Sequence, residues 1–360
     1  MANRPLVNGQ KYLRNSQTHV VLWPIFSSSS MAQNLKCCTT VFGFHSLLYL
    51  VAQRKGMIIF MKVAAMADLH VDLLPGAKAR MQEFWDVAKR EKVDMVINLG
   101  DFAVPKEENQ WIADSWKNCA LPHALVLGNH DMDENDKSRY MQFYGLKRSY
   151  DSFAVGGIQW ILLDTNYFNF GGVCYDYAYA NYYDKKREYL GDLQIEWLQH
   201  VLDKSSLPCV LLGHEGLHYA GDQEKIWPVL KQYRNKIALC INGHNHVDGL
   251  TVQEGIGFLE VVSMSQHWLG DEAELLTLQE CNGYFSPEEF EEYRFLRYMA
   301  PYEKAMYEIL EFDLDNNCVS VRGSKSAFVG RSPRERGHSG AIHGIEQTTE
   351  VKEKLFYWGR

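Results

Sequence analysis

Five short polar segments each follow directly after a short apolar run that the pattern predicts to be a strand. They are Asp68-Leu-His70, Gly100-Asp101, Gly128-Asn129-His130-Asp131, Gly213-His214 and Gly243-His244-Asn245-His246. Carboxylates, imidazoles and one amide form a nitrogen and oxygen ligand set that suits Mn²⁺, Fe or Zn²⁺ rather than soft copper. Such a set can hold two metal ions about 3.5–4 Å apart, an arrangement that cleaves phosphate esters.

The segments differ in how strongly each one indicates a metal site, because some are expected by chance far more often than others. The tripeptide from Asp68 to His70 is expected about once by chance in a chain of this length and composition. The four residues from Gly128 to Asp131 are expected about 0.003 times, and the Gly-His-x-His pattern about 0.03 times. Their order along the chain and their place after predicted strands strengthen the interpretation as one metal centre.

The ordered pattern D-x-H, G-D, G-N-H-[DE], H, G-H-x-H across residues 68–246 resembles the calcineurin-like metallophosphoesterase family. The resemblance covers the catalytic core, about half of the chain, and every metal-ligand position is present. It implies a phosphoric ester hydrolase with two divalent metal ions, Mn²⁺ or Fe, with Zn²⁺ as the alternative.

The resemblance also assigns the metal ligands, as two sites that share one carboxylate. The first metal would be held by Asp68, His70, His246 and the bridging Asp101. The second site would be completed by Asn129, His214 and His244. The fourth segment lacks the proline often found shortly after the family's histidine, so His218 is a rival to His214 as a ligand.

His130 lies beside the ligand Asn129 and, as in the family, is not itself a ligand. Two cations lower the pKa of a water held between them, and the resulting bridging hydroxide can attack the phosphorus in line. We expect His130 to protonate the leaving alkoxide or to stabilise the transition state. Asp131, the next residue, is expected to orient the His130 ring.

Strands and helices alternate from Met61 onward and must position these groups. The apolar pattern predicts strands at 62–67, 94–99, 123–127, 149–155, 158–164, 209–213, 237–242, 248–253 and 257–263, and a closing hairpin from Tyr307 to Gly323. It predicts helices over about 77–91, 109–118, 135–144, 192–204 and 223–234. We expect an α/β (α+β) fold, a four-layer α-β-β-α sandwich of two packed mixed sheets with outer helices.

The chain divides into three predicted regions. Residues 1–60 have little pattern and are expected to be a disordered or non-native extension, with a targeting segment or a structured arm as alternatives. Their best apolar stretch, Thr39 to Ala52, is too short to span a bilayer. The metallophosphoesterase domain is expected at 61–325, with irregular insertions at about 167–190 and 267–304, and a C-terminal tail at 326–360.

Charge and cysteine content limit the partners. The net charge is −8, and residues 1–60 contribute +6 because they hold six Lys or Arg and no Asp or Glu, so the rest carries −14. Such a body repels double-stranded nucleic acid and anionic membranes. Eight cysteines without a C-x-x-C pattern indicate a reducing compartment, and we expect a cytoplasmic protein. The expected partner is a small phosphorylated substrate, and the oligomeric state is left open.

Several other features admit two interpretations. The nine aromatic residues of 167–190 could stack on a base or sugar, or pack on one another. Asp164-Thr165-Asn166 could face the substrate or form a turn. His267 and Trp268 could contact substrate or serve in the core or at the surface. The basic stretch from Arg322 to Arg336 could steer phosphates or remain a solvated surface.

Weaker matches concern the substrate. Gly191-Asp-Leu-Gln194 with Trp197-Leu198, and Arg322-Gly323 with Gly330-Arg331, are similar to a subgroup that hydrolyses ADP-ribose and CDP-alcohols, although that subgroup often has glutamine at the position of His70. The leading hypothesis is hydrolysis of a small, nucleotide-like phosphoester or phosphoanhydride. A phosphomonoesterase is the alternative among enzymes, and a non-catalytic metal-bound scaffold is the alternative from another class.

Overall fold

The computed structural model describes residues 60–359, so the predicted N-terminal extension lies outside the described residues. The strands are β1 Phe60–Met66, β2 Met95–Asn98, β3 His123–Leu125, β4 Asp151–Val155, β5 Ile158–Leu162, β6 Tyr167–Phe170, β7 Val173–Asp176, β8 Lys186–Tyr189, β9 Cys209–Leu212, β10 Ile237–Asn242, β11 Gly249–Gln253, β12 Ile256–Glu260, β13 Gln266–Trp268, β14 Met299–Pro301, β15 Glu308–Asp313, β16 Cys318–Gly323, β17 Ala341–Ile342, β18 Ile345–Glu346 and β19 Lys354–Tyr357. The helices are α1 Ala77–Glu91, α2 Gln110–Lys117, α3 Lys137–Tyr144, α4 Asp192–Lys204, α5 Gln223–Tyr233 and α6 Pro287–Glu292.

Two six-stranded mixed sheets form the body. The first has the order β19-β16-β15-β1-β2-β3, in which β1, β2 and β3 run parallel and the other three add antiparallel pairs. The second has the order β11-β12-β10-β9-β5-β4, with a parallel centre and an antiparallel strand at each edge. Every helix and strand that the sequence predicts in 61–166 and 191–266 is present.

The apolar side chains define four layers. Those of β1 alternate between two clusters: Val63 and Ala65 face the second sheet, whereas Ala64 and Met66 face the outer helices. Burial on both faces explains why this strand reads as a nearly continuous apolar run. A third cluster packs α4 and α5 on the outer face of the second sheet. The predicted fold of two packed mixed sheets between helices is confirmed.

The first insertion is more regular than the sequence indicates. Within 167–190, β6, β7 and β8 form a three-stranded antiparallel sheet in the order β7-β6-β8. Lys137 anchors it, because its ammonium bonds Asp164 at 2.7 Å and Asp176 at 2.8 Å and lies 3.4 Å from the Tyr167 ring centroid. The predicted irregular loop is therefore a small sheet fixed to the body through a buried lysine.

The second insertion, 267–304, contains the short pair β13 and β14 with α6 between them. A capping box starts α6, in which Ser286 and Glu289 each bond the other's backbone N–H. Its apolar residues form a separate small core with Leu74 of the main body. The insertion is thus partly helical, as the sequence predicts.

The segment expected to be a C-terminal tail differs from that expectation. Strand β19 pairs with β16 at the edge of the first sheet, and the buried Phe356 and Trp358 enter the core between the sheets. Upstream, the fully buried Arg336 donates to backbone carbonyls of Glu274 and Arg297. The apolar residues of this segment are scattered singly among polar ones, so its sequence shows no helix or strand period. Residues 326–359 nevertheless complete the body.

Among residues 60–359, the structure has no helix that is both long and apolar enough to cross a bilayer. Cys209 and Cys240 are buried within β9 and β10, where a thiol acts as a small apolar group. Cytoplasmic location stays a prediction.

Trp358 provides a test of the place of the C-terminal segment. We expect Trp358→Ala to lower the free energy of unfolding by about 3–5 kcal/mol, because a large buried side chain leaves a cavity. Leu355→Ala is the matched control: its side chain is exposed, and a change within about 0.5 kcal/mol is expected. Urea unfolding measures both, and equal small effects would show that the segment lies outside the core.

Candidate metal centre

The polar segments lie at the carboxyl ends of parallel strands from both sheets. Those after β1, β2 and β3 come from the first sheet, and those after β9 and β10 come from the second. A bridge between Ala67 and Ser263 joins the strand ends of the two sheets. Glycine permits the close approach, since a Cβ on Gly128 would lie 2.2 Å from Asp101 Oδ1. Loops that are distant in sequence therefore meet at one edge of the sandwich.

Two groups of side chains converge at this edge. The first group is Asp68, His70 and His246. The second group is Asp101, His214 and His244. In each group, one possible ligand atom per residue lies within 4.8 Å of the others. Asn129 joins the second group, with its Oδ1 3.1 Å from His214 Nε2. The structure thus brings together all seven residues that the sequence assigns to the metal sites.

Asp101 connects the two groups. Its Oδ2 lies 3.7 Å from His70 Nε2 in the first group and 3.3 Å from His214 Nε2 in the second. Its Oδ1 accepts a 2.8 Å hydrogen bond from the backbone N–H of His130, which fixes the carboxylate. An oxygen within reach of both groups is the geometry that a bridging ligand needs.

The donor set fits divalent cations. Asp68 Oδ1 is buried and has no hydrogen-bond partner in the part of the chain that the structure describes. It lies 3.4 Å from His246 Nε2 and 3.9 Å from His70 Nε2. A buried, unpaired carboxylate oxygen carries a desolvation cost, and coordination of a cation would remove that cost.

The backbone around the centre is strained. Five of the seven candidate ligands adopt a positive φ: Asp68 54°, His70 51°, Asp101 51°, His244 68° and His246 58°. A non-glycine residue in this region costs about 1–3 kcal/mol, and such residues cluster at functional sites. Here the strain turns side chains from separate loops toward a common point.

The second ring nitrogens of the candidate ligands are held in place. His214 donates from Nδ1 to the Leu99 carbonyl at 2.7 Å, and His246 donates from Nδ1 to the Gln266 carbonyl at 3.0 Å. His244 Nε2 faces Glu188 Oε1 at 3.8 Å. The two hydrogen bonds of His214 and His246 fix the tautomer of each ring and leave its Nε2 to face the centre.

Metal binding requires neutral imidazoles and ionised carboxylates, and the candidate ligands meet this requirement except at His214. Burial opposes the charge of His214, but Asp101 holds its pKa well above the usual value, so a metal ion must displace that proton. Burial lowers the pKa of His70 and that of His244 to about 3, so both rings are neutral. Burial would raise the pKa of Asp101, but neighbouring His214 and His130 outweigh it and hold that pKa well below its usual value. Asp101 is therefore ionised.

His130 lies beside the two groups, with its ring centroid 5.4 Å from that of His70. It starts a short 3-10 turn, His130–Met132, and its side chain is 35% exposed. Burial opposes its charge, but Asp101 and the hydrogen bond to Asp133 raise the pKa of His130 to about 9. The ring carries a proton that it can donate toward the centre.

The expected role of Asp131 is corrected by the structure. Its carboxylate accepts from the backbone N–H groups of Gly128, Phe102 and Asp101, at 2.8, 2.9 and 3.2 Å. It therefore joins the second and third ligand loops. The His130 ring is bonded instead by Asp133, whose Oδ2 lies 2.7 Å from Nδ1. A 3-10 turn places residue i+3, rather than i+1, beside the histidine.

Other candidates lie outside the two groups. His218 packs on the rings of Tyr219 and Phe258, which leaves His214 as the candidate ligand. The Asp164 segment is buried and structural: Asp164 binds Lys137, and Asn166 donates to the Leu127 carbonyl.

The remaining features also hold the fold together. His267 is buried and lies 2.7 Å from the Tyr302 hydroxyl. Of the basic stretch, Arg322 pairs with Glu91, and Arg331 pairs with Glu274. Gln194 clamps the backbone of Asp164 through two hydrogen bonds. These contacts tie the residues to neighbouring parts of the fold.

Sequence reasoning missed three groups near the centre. Asp133 lies three residues after His130, and this spacing becomes a contact only because a 3-10 turn forms there, which the sequence does not predict. Glu188 and Tyr183 reach the centre from the first insertion, and their pairing with distant loops leaves no local signal. The insertion thus contributes polar groups as well as aromatic surface.

The sequence profile of the calcineurin-like phosphoesterase family matches residues 61–248. The chain belongs to the calcineurin-like phosphoesterase family. That family implies a dinuclear divalent metal centre, and the two side-chain groups supply candidate positions for it.

The solved structures that are similar to this chain are distant in sequence. A dimetal phosphatase from Danio rerio is 13% identical, with a TM-score of 0.50, and the alignment covers 77% of this chain and 100% of that one. GAP50, the anchor in the inner membrane complex of Plasmodium, is 14% identical, with a TM-score of 0.46 and coverage of 82% and 90%. Among curated proteins, no sequence matches significantly.

His214 and His218 form a matched pair for testing the ligand assignment. We expect His214→Ala to reduce the bound metal from about two ions to about one per folded chain, because it removes a ligand of the second site. His218→Ala should retain about two, because that ring packs on Phe258. Elemental analysis after dialysis against Mn²⁺ measures both. Metal loss in His218→Ala alone would reverse the assignment.

Proposed function

We propose that this chain hydrolyses phosphoester or phosphoanhydride bonds of a small, nucleotide-like substrate with two divalent metal ions. The observation that carries the proposal is Asp101 Oδ2, which lies within 4 Å of a histidine nitrogen of each ligand group. Family membership supports metal-dependent phosphoester hydrolysis. The proposal adds the substrate class, which family membership does not determine.

The side chains have separate tasks in the proposed reaction. Asp68, His70 and His246 would hold one ion, and Asn129, His214 and His244 the other, with Asp101 shared between them. Two bound ions would supply a nucleophile at neutral pH and neutralise charge on the phosphoryl oxygens. His130 holds a proton on the side of the centre facing His70, and it gives that proton to the leaving oxygen as the ester bond breaks.

The surroundings of the centre support a small organic substrate. A narrow recess beside His130 and Asp101 also touches Asp72, and Asp72 borders a second cavity of about 720 Å³. Trp111, Tyr293 and Lys106 line this second cavity. Its volume falls in the range of ligand pockets, about 300–1,000 Å³, and its rings offer flat surfaces to a base. The strongly acidic body disfavours a nucleic-acid polymer.

Two other functions are distinguishable. A phosphomonoesterase would need only the metal centre and His130, and would leave the cavity beside Trp111 without a role. A metal-bound scaffold would have no use for a protonated His130 that is not a ligand. The intact histidine therefore favours turnover over a scaffold.

A substrate panel separates the two enzymatic functions. We expect the Mn²⁺-loaded chain to hydrolyse a nucleoside diphosphate sugar faster, in kcat/KM, than a phosphomonoester or a simple phosphodiester. The reason is that only the first substrate fills the cavity beside Trp111. Preference for the monoester would identify a phosphatase. Raising the salt concentration should change this turnover little, whereas binding of a nucleic-acid polymer would weaken steeply.

His130→Ala tests whether the centre is catalytic. Loss of a general acid typically costs about 10²–10⁴-fold, and we expect kcat to fall in that range. Bound metal should stay near two ions per chain, because His130 is not a ligand. Steady-state kinetics and elemental analysis measure the two quantities on the same sample. Unchanged turnover would remove His130 from the mechanism.

A further inference from the structure

Within residues 60–359, Asp133 and Tyr183 are the only side chains that hydrogen-bond to the His130 ring. Its Oδ2 accepts from His130 Nδ1 at 2.7 Å, so the opposite nitrogen, Nε2, is the one that can face a substrate. Asp133 is the C-cap of the 3-10 turn that His130 starts, three residues after His130, and its side chain is 27% exposed. A carboxylate at this place can fix both the ring angle and the tautomer of the histidine.

Two tyrosines of the first insertion hold Asp133 in turn. The Tyr182 hydroxyl bonds Asp133 Oδ1 and also lies 3.0 Å from the backbone carbonyl of the candidate ligand Asn129. The Tyr183 hydroxyl lies 3.2 Å from both Asp133 oxygens and 3.3 Å from His130 Nδ1. A carboxylate that accepts from these hydroxyls and from an imidazole is oriented from three sides.

The tyrosines are themselves rigidly placed. Tyr182 is fully buried, with its ring stacked on Tyr177 at 4.1 Å and on Tyr183 at 4.7 Å between centroids. They lie in the loop between β7 and β8, and the sheet that contains these strands is anchored to the body through Lys137. The hydroxyl of Tyr183 is thereby fixed beside His130, although the Tyr183 side chain is largely exposed.

We propose that Asp133, clamped by Tyr182 and Tyr183 of the first insertion, is the positioning residue of His130. The inference rests on the proposed hydrolase function and adds a role for the insertion in the chemical step. As the oxygen of a water molecule bonds to phosphorus and the phosphorus–oxygen bond of the leaving group breaks, His130 gives its Nε2 proton to the departing oxygen. The attacking water releases one proton to solvent, and His130 regains a proton from solvent. Asp133 accepts the Nδ1–H hydrogen bond throughout and takes no proton from the reaction.

The first test reads the histidine itself and needs no turnover. In the Zn²⁺-loaded full chain with ¹⁵N-labelled histidine, we expect a protected Nδ1–H resonance from His130, identified by its absence in His130→Ala. Asp133→Ala should abolish this resonance, and Tyr183→Phe should shift it. The matched control is Tyr179→Phe, since the Tyr179 side chain is 65% exposed in the same insertion. An unchanged resonance in Asp133→Ala would overturn the proposal even if the wild-type chain hydrolysed no ester.

The second test uses the leaving group. An alkoxide leaving group needs protonation, whereas 4-nitrophenolate departs without it, so loss of His130 orientation should affect the first much more. For Asp133→Ala we expect about a 10²-fold fall in kcat on an alkyl ester and less than about tenfold on the matched 4-nitrophenyl ester, with KM little changed. Tyr183→Phe should show the same selectivity, at about three- to tenfold. Tyr179→Phe should match the wild type.

A double variant completes the test. Asp133→Ala in the His130→Ala background should cause no further loss, because Asp133 acts through that ring. Equal losses on both esters, or a further loss in the double variant, would show that Asp133 serves the fold or the metals instead. Inactivity of the wild-type chain on both esters, with the Nδ1–H resonance present, would contradict the hydrolase proposal while leaving the hydrogen bond established.

Discussion

The shared carboxylate of Asp101 is the constraint on which the rest of the site depends. One oxygen must reach two histidine-containing groups, each of which is supplied by loops of both sheets. This is possible only where the carboxyl ends of β1, β2, β3, β9 and β10 come together. The face-to-face packing of the sheets, with large side chains such as Trp160 between them, is therefore also what sets the spacing of the candidate ligands. The packing of the core and the geometry of the metal centre therefore depend on each other.

The centre has energetic costs that the surroundings offset. Left-handed backbone at five ligands, and a buried carboxylate oxygen on Asp68 without a donor, would each destabilise a chain without compensating contacts. Backbone hydrogen bonds accepted by Asp131 tie two of the strained loops together, and carbonyls of Leu99 and Gln266 hold the imidazoles. Bound cations would remove the remaining electrostatic cost. The strained loops are therefore stabilised by contacts that surround the centre.

Much of this could be predicted from the sequence, because each ligand segment follows its own strand and the ends of parallel strands coincide at one edge. The alternating pattern likewise specified the sheets and helices. The local geometry of His130 could not be predicted in the same way. A 3-10 turn places Asp133, rather than the adjacent Asp131, beside the His130 ring, and the local sequence does not predict such a turn. The strands of the first insertion were missed because aromatic residues occupy both faces. The C-terminal strand was missed because Phe356 and Trp358 find their partners only across the sheet.

The central claim is that Asp101 bridges two metal ions, and electron paramagnetic resonance of the Mn²⁺-loaded chain tests it most directly. Two Mn²⁺ ions that share a carboxylate at about 3.5–4 Å are magnetically coupled. We predict a coupled spectrum once the chain is fully loaded, and its conversion to the spectrum of isolated ions in Asp101→Asn. A spectrum of isolated Mn²⁺ at every loading of the unaltered chain would contradict the account.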